Sequence, residues 1–318
     1  MKKLFTSFLI TLFLLELLVR FTPYPWILEP SFSQMGSLRS IETEIKNKNP
    51  KIVILGNSLI RDAISPKILS SKLNMEENEI INLGVSAGNY FLDYKILQSL
   101  NQKPEHIILQ IDLNRFINDE IFSSYYFIRL SKLEDLGSLP DNFSYIKYLK
   151  NILFKSYASS DIWHRYIFQR NESEKIGTII PKDELGQFDV YGERKLLNEG
   201  FYSIENYIDA IEEIDNSNNL FYFKKLCEYS QSNDIKIFLT HLPIRSNEID
   251  ENIQKYIENY FQFITKECVA EKKLIDNLDY NFSSNDVFLD YGHLNNTGAK
   301  VYSEDFSKTF RKLTSENW

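Results

Sequence analysis

The sequence predicts an α/β protein built on a parallel sheet, and three observations carry that expectation. Short apolar runs rich in isoleucine and valine recur at 51–58 (Lys-Ile-Val-Ile-Leu-Gly-Asn-Ser), 79–85 (Glu-Ile-Ile-Asn-Leu-Gly-Val) and 106–112 (His-Ile-Ile-Leu-Gln-Ile-Asp), then again at 235–243 and 273–276. The runs are near-continuously apolar rather than alternating, which is the pattern of strands buried on both faces. Stretches with helical apolar spacing separate them, and strand alternating with helix is the signature of a parallel sheet.

Lys2 and Lys3 precede an apolar run from Leu4 to Val19 that only Glu16 interrupts among strongly polar residues; Arg20, Pro23, Tyr24, Pro25 and Trp26 follow. This layout predicts an uncleaved single-pass membrane anchor over residues 1–26, since no small-x-small cleavage site follows it. At ~1.5 Å per residue, Leu4 to Phe21 just crosses a ~30 Å hydrocarbon layer. The lysines place the N-terminus in the cytoplasm and the body outside it, with Tyr24 and Trp26 at the far interface. Residues 27–50 form a polar connector that leads into a helix from Ser37 to Asn47.

The main domain spans 51–318. After the strand at 51–58, Ser65 and Pro66 supply an N-cap and a first helical proline, and Ile68, Leu69 and Leu73 carry the helix. The strand at 79–85 leads to a helix on Phe91, Leu92, Ile96, Leu97 and Leu100, and Pro104 punctuates before 106–112. From about 117 to 218 the chain turns aromatic and polar without a strand–helix rhythm, which predicts a helical and irregular insertion. The rhythm returns with a helix at 219–232, the strand 235–243, a helix at 247–268, the strand 273–276 and a last helix from about Asn296.

With 318 residues, 43% of them hydrophobic, the chain can bury a large core. Its net charge of −8 gives no support to a nucleic-acid partner. Cys227 and Cys268 fit no metal or redox spacing. Cys227 lies among Leu220, Phe223 and Leu226, where a buried free thiol is the expectation and pairing with Cys268 the open alternative. No His/Cys/Asp cluster has metal-ligand spacing and no Gly-x-Gly-x-x-Gly occurs, so neither metal nor cofactor is implied.

The chemistry-bearing stretch is Asp290-Tyr-Gly-His293-Leu-Asn-Asn-Thr-Gly-Ala-Lys. Asp at i and His at i+3 in a loop lets the carboxylate fix the imidazole tautomer and leaves Nε2 as a base. The candidate nucleophile is Ser58, just past the first buried strand, where open α/β sheets place their ligands. A helical turn starting there would aim backbone N–H groups at an oxyanion. Two further strand ends share that edge, one with Gly84 and Gly88 and the other with Asp112 and Asn114. Gly84 reads as a turn glycine, and Asn114 reads equally as a cap. His241 reads as structural or site-lining, and His106 and His164 have no evident partner.

In order, Gly56-Asn57-Ser58, Asn82-x-Gly84-x-x-x-Gly88, a strand followed by Asn114, and Asp290-x-x-His293 resemble the four blocks of the SGNH (GDSL-like) hydrolase superfamily. The resemblance covers 51–116 and 235–312. It implies a flavodoxin-like three-layer α/β/α sandwich, a Ser58–His293–Asp290 triad, and oxyanion donors at Gly88 (or Gly84) and Asn114. Asn57 stands where the family has aspartate, and Asp112-Leu113-Asn114-Arg115 replaces Gly-x-Asn-Asp. Anchor, extracytoplasmic body and insertion together resemble bacterial envelope proteins that move acyl groups on polysaccharides. The implied function is a membrane-anchored serine esterase or O-acyltransferase, with acetyl as the expected group and an envelope glycan as substrate; a membrane acyl-donor protein is the implied partner. The alternatives are a non-catalytic scaffold of the same fold and a soluble lipase or thioesterase.

Overall fold

A computed structural model describes residues 2–21, 34–85, 87–112, 115–116, 127, 130–140, 145–153, 214, 217–243, 251–275, 287–288 and 292–314. The chain divides into two compact units, one of residues 1–39 and 120–180, the other of residues 40–119 and 181–318. The end of the expected anchor and the start of the expected connector (22–33), most of the expected insertion, and the calls on Asp290 and Asn114 fall outside the described residues.

In the first unit, helix α1 spans Lys2–Phe21. From Leu4 to Leu15 its large apolar side chains are exposed, Leu4 at 79% and Phe5 at 65% among them. The expectation of a membrane-crossing helix is not met: among the described residues no helix is long and apolar enough to cross a membrane. Polar Thr6, Ser7 and Thr11 and the acidic Glu16 lie within the run. Thr11 turns its hydroxyl back to the Ser7 carbonyl at 2.9 Å, as hydroxyl side chains within helices do. Later in this unit a 3₁₀ turn at Leu133–Ser138 precedes α6 (Tyr145–Leu153). The Tyr148 hydroxyl donates to the Lys132 carbonyl, and its ring meets Phe127 edge-on at 5.4 Å.

The second unit holds a five-stranded parallel sheet in the order β2-β1-β3-β4-β5, the flavodoxin-like order. The strands are β1 (Ile52–Leu55), β2 (Ile80–Asn82), β3 (His106–Gln110), β4 (Lys236–Thr240) and β5 (Lys272–Ile275). Every residue of β1, β2 and β3 is buried, which accounts for their unbroken apolar character. Helices α3 (Ser58–Ala63), α4 (Pro66–Leu73), α5 (Tyr90–Ser99), α7 (Asn218–Ser232), α8 (Glu251–Glu267) and α9 (Asn296–Thr314) complete it; α2 (Gln34–Asn47) spans the boundary between the units.

One sheet face, carrying Ile52, Ile54, Ile80, Ile108 and Phe238, packs on α3, α4 and α9 through Ile60, Leu69, Leu73, Tyr302, Phe306 and Phe310. Each such fully buried side chain contributes roughly 1.5–3 kcal/mol. Ser303 ties α9 to the α3–α4 corner: its hydroxyl accepts from Ser65 N–H at 2.8 Å and donates to the Ala63 carbonyl at 3.2 Å. Ser65 caps α4 as expected, accepting from Ile68 N–H. On the other side α5 and α7 pack together, with Phe91 against Tyr222 and Tyr90 against Phe223.

Cys227 is not the free thiol expected. It is bonded to Cys268, 41 positions away, and both are fully buried. The bond staples α7 to the segment between α8 and β5. Two cysteines with no patterned spacing give no sequence signal, because packing alone brings them together.

Candidate active site

The turn after β1 is built by three consecutive residues. Gly56 sits at φ +155°, and a Cβ there would fall 2.7 Å from both Gln110 Cβ and Ile60 Cγ2, so only glycine fits. Asn57 follows in extended geometry as the N-cap of α3, its Oδ1 accepting from Leu59 N–H at 2.9 Å. Ser58 is the first residue of the helix, half-buried. Leu59 and Ile60 anchor α3 in the core behind it.

Ser58 Oγ lies 2.8 Å from His293 Nε2, although 235 positions separate the residues. The segment bearing His293 is pinched shut by a bridge between Phe288 and Leu294, both buried in the core. Asn295 N–H donates to the Val287 carbonyl, and Asn295 Oδ1 accepts from Gly298 N–H to start α9. Gly292 lets this segment close on α3: a Cβ there would stand 3.1 Å from Leu59 Cδ2. With Nδ1 protonated, Nε2 is the lone pair facing the serine hydroxyl. Asp290 belongs to this turn by sequence but lies outside the described residues.

The loop after β2 presses on the same turn. Asn82 Nδ2 donates to the Ile60 and Ile64 carbonyls at 3.0 and 2.8 Å, and its Oδ1 accepts from Gly84 N–H, so one side chain locks α3 to β2. A Cβ on Gly84 would meet Arg61 N at 2.8 Å, and one on Gly88 would meet the Gly56 carbonyl at 2.5 Å. Gly84 is therefore a close-packing glycine. The Gly88 N–H, an expected oxyanion donor, donates to the Val85 carbonyl at 3.0 Å. Among the described residues of this loop, Ala87 is left-handed, at φ 53°.

At the third strand end, Asp112 is buried and Asn114 lies outside the described residues. Its neighbour Arg115, unremarked in the sequence, is buried and pairs with Asp93. Burial by itself lowers its pKa, but the attraction and hydrogen bond of Asp93 together with Tyr90 and Asp112 outweigh this, and the guanidinium is held more firmly protonated. Its plane lies over the Tyr90 ring at 4.0 Å. A second buried pair follows the serine directly, with Arg61 bidentate on Asp62 at 2.8 and 3.0 Å. No spacing rule marks either pair, since adjacent or scattered charges usually read as solvated surface.

His241, just past β4, is buried against Phe261 at 4.9 Å, and burial pushes its pKa down to about 4. His106 opens β3 at the opposite sheet edge, between Phe238 and Phe310. Among the described residues no group of three His, Cys, Asp or Glu is placed to hold a metal ion.

No family model matches the chain, and no curated protein matches it. Among solved structures it is similar to a lipolytic protein of the G-D-S-L family from Desulfitobacterium hafniense, with 12% identity, 82% of this chain and 99% of the other covered, and a TM-score of 0.36. It is also similar to a protein described as a platelet activating factor from Streptococcus pneumonia, with 13% identity, coverage of 88% and 92%, and a TM-score of 0.39. At these scores the likenesses add no weight, and the fold assignment rests on the strand order itself.

Proposed function

We propose that the protein is an SGNH-like serine esterase or O-acyltransferase. The observation that carries this reading is the 2.8 Å approach of His293 Nε2 to Ser58 Oγ at the C-terminal edge of a parallel sheet. In the proposed reaction Ser58 Oγ attacks an ester carbonyl and its proton passes to His293 Nε2. The tetrahedral oxyanion then collapses, expelling the alkoxide, which takes that proton. A hydroxyl from water or from a glycan next gives its proton to His293 and attacks the acyl-serine, and Ser58 Oγ leaves taking that proton from His293. Asp290 is assigned the orienting role on the imidazole, by its position in the resemblance.

The Ser58 N–H, at the start of α3, is one oxyanion donor. The Gly88 N–H already serves Val85, whereas the Ala87 N–H has no partner among the described residues, so the loop's donor role goes to Ala87. Asn114 keeps the third role on the strength of the resemblance. Acetyl transfer on an envelope glycan, with a membrane protein as donor, is the finer form of the proposal.

The proposed location is the cell membrane, with the domain carrying Ser58 outside the cytoplasm. Two features support it: the exposed leucines and phenylalanines of α1 behind Lys2 and Lys3, and the Cys227–Cys268 bond, which suits an oxidising compartment.

The test is hydrolysis of p-nitrophenyl acetate combined with labelling by a fluorophosphonate probe. The wild-type protein turns over and labels, and Ser58→Ala does neither. A wild-type protein that binds polysaccharide but neither hydrolyses nor labels is the scaffold instead.

A further inference from the structure

Gln110 is the last residue of β3, buried, and absent from any motif in the sequence. Its side-chain Oε1 accepts the Asn57 N–H at 2.9 Å, across 53 positions of chain. That peptide lies immediately before Ser58. Gly56 has no side chain precisely where Gln110 Cβ and Oε1 crowd the turn, so the nucleophile turn rests directly on this amide. Gln110 Nε2 points toward Asp112 Oδ2 at 3.5 Å, which fixes the orientation of the amide with its oxygen toward Asn57.

The backbone of the same residue reaches the other loop. The Gln110 carbonyl accepts from Arg115 Nη1 at 2.8 Å and from the Tyr90 hydroxyl at 3.2 Å. Arg115 Nε in turn donates to the Gly88 carbonyl at 3.2 Å. One residue therefore joins the turn that presents the serine hydroxyl to the loop that carries Ala87 and Gly88.

We propose that Gln110 is the positioning residue of the Ser58 site, its side-chain amide fixing the Asn57 peptide so that the Ser58 hydroxyl stays in line with His293 and in register with the 84–88 loop. A residue that only satisfied a buried N–H would affect stability alone. A residue that sets the attack geometry affects kcat, because a displacement on the order of 1 Å at the reacting atoms lowers rate about 100-fold. The inference rests on the serine-esterase reading above.

The experiment compares wild type, Gln110→Met and Gln110→Glu in the full chain, measuring kcat and KM for p-nitrophenyl acetate, the fluorophosphonate labelling rate and the melting temperature. Methionine keeps the shape without the acceptor. Glutamate keeps an acceptor oxygen for the Asn57 N–H and, while protonated, a donor for Asp112. The expected result is a fall of about 100-fold in kcat and labelling for Gln110→Met, with KM within about 3-fold. Measured against wild type at the same pH, Gln110→Glu keeps most of the rate at the low end of the active range and falls behind as pH rises, because its ionised carboxylate faces Asp112. Active wild type with an unimpaired Gln110→Met overturns the inference and leaves the esterase reading standing. So does a loss in both variants that only tracks their unfolded fraction at every pH. An inactive wild type overturns both.

Discussion

The two flanks of the sheet share one apolar core and differ in the contacts that are added to it. Around β1 and β2 the contacts are directional: Asn57 caps α3, Asn82 grips its far end from β2, and Gln110 holds the turn from β3. Around β4 and β5 they are apolar and covalent: Phe238 packs on Phe310 at 4.6 Å, His241 lies against Phe261, and Cys227 is joined to Cys268. Apolar packing holds elements together without fixing an atom's direction, whereas hydrogen bonds do both. The flank with the serine is the one that needs direction. The two histidines repeat the contrast: His293 is half-buried with Nε2 on a hydroxyl, while His241 is sealed and kept neutral by burial.

The largest expected effect separates those histidines. His293→Ala is expected to lower kcat/KM for p-nitrophenyl acetate by about 10³-fold or more, and His241→Phe by less than about 5-fold. Equal losses would erase the functional side of the contrast. Next comes the covalent clamp on the β4–β5 flank. Closing a loop of 41 residues stabilises by about 4 kcal/mol in the chain-entropy picture, so Cys227→Ser with Cys268→Ser should lower the urea midpoint accordingly, as should a reductant acting on wild type.

The third effect is a pH dependence from His241. Its pKa is about 4 folded against 6.5 as a model group, so between these values the unfolded chain binds the proton and the folded one does not. Stability from this group is complete above about pH 6.5 and falls by about 3 kcal/mol as pH drops towards 4. Urea titrations across that range should show the slope, and His241→Phe should flatten it. The smallest effect falls on the directional flank: Asn57→Ala removes the α3 cap and should lower stability by about 1 kcal/mol, read from the melting temperature.

The strands were legible because both-face burial forces an unbroken apolar run, as at Ile52–Leu55 and His106–Gln110. Ser65-Pro66 marked a helix start because capping is local chemistry. Ser58 and His293 were legible as candidates because strand-end serine and Asp-x-x-His carry chemical meaning in themselves. The roles of Gln110 and Arg115 were not, since their work consists of bonds to residues far along the chain and no spacing encodes it. The Gly88 expectation came from the family resemblance; in the described loop the Gly88 N–H donates to the Val85 carbonyl and Ala87 is left-handed at φ 53°. The disulfide was illegible for the same reason as Gln110.

The serine and the imidazole are separated by nearly the whole of the parallel sheet in chain order, and that has a consequence for biosynthesis. A polypeptide extended only as far as β5 carries a hydroxyl with no base beside it, however well its first strands have paired. In the proposed site the two meet only once the segment closed by Phe288 and Leu294 is in place and α9 packs on α3. On the proposed reading, the serine gains its base only after the Phe288–Leu294 segment has been made and folded back.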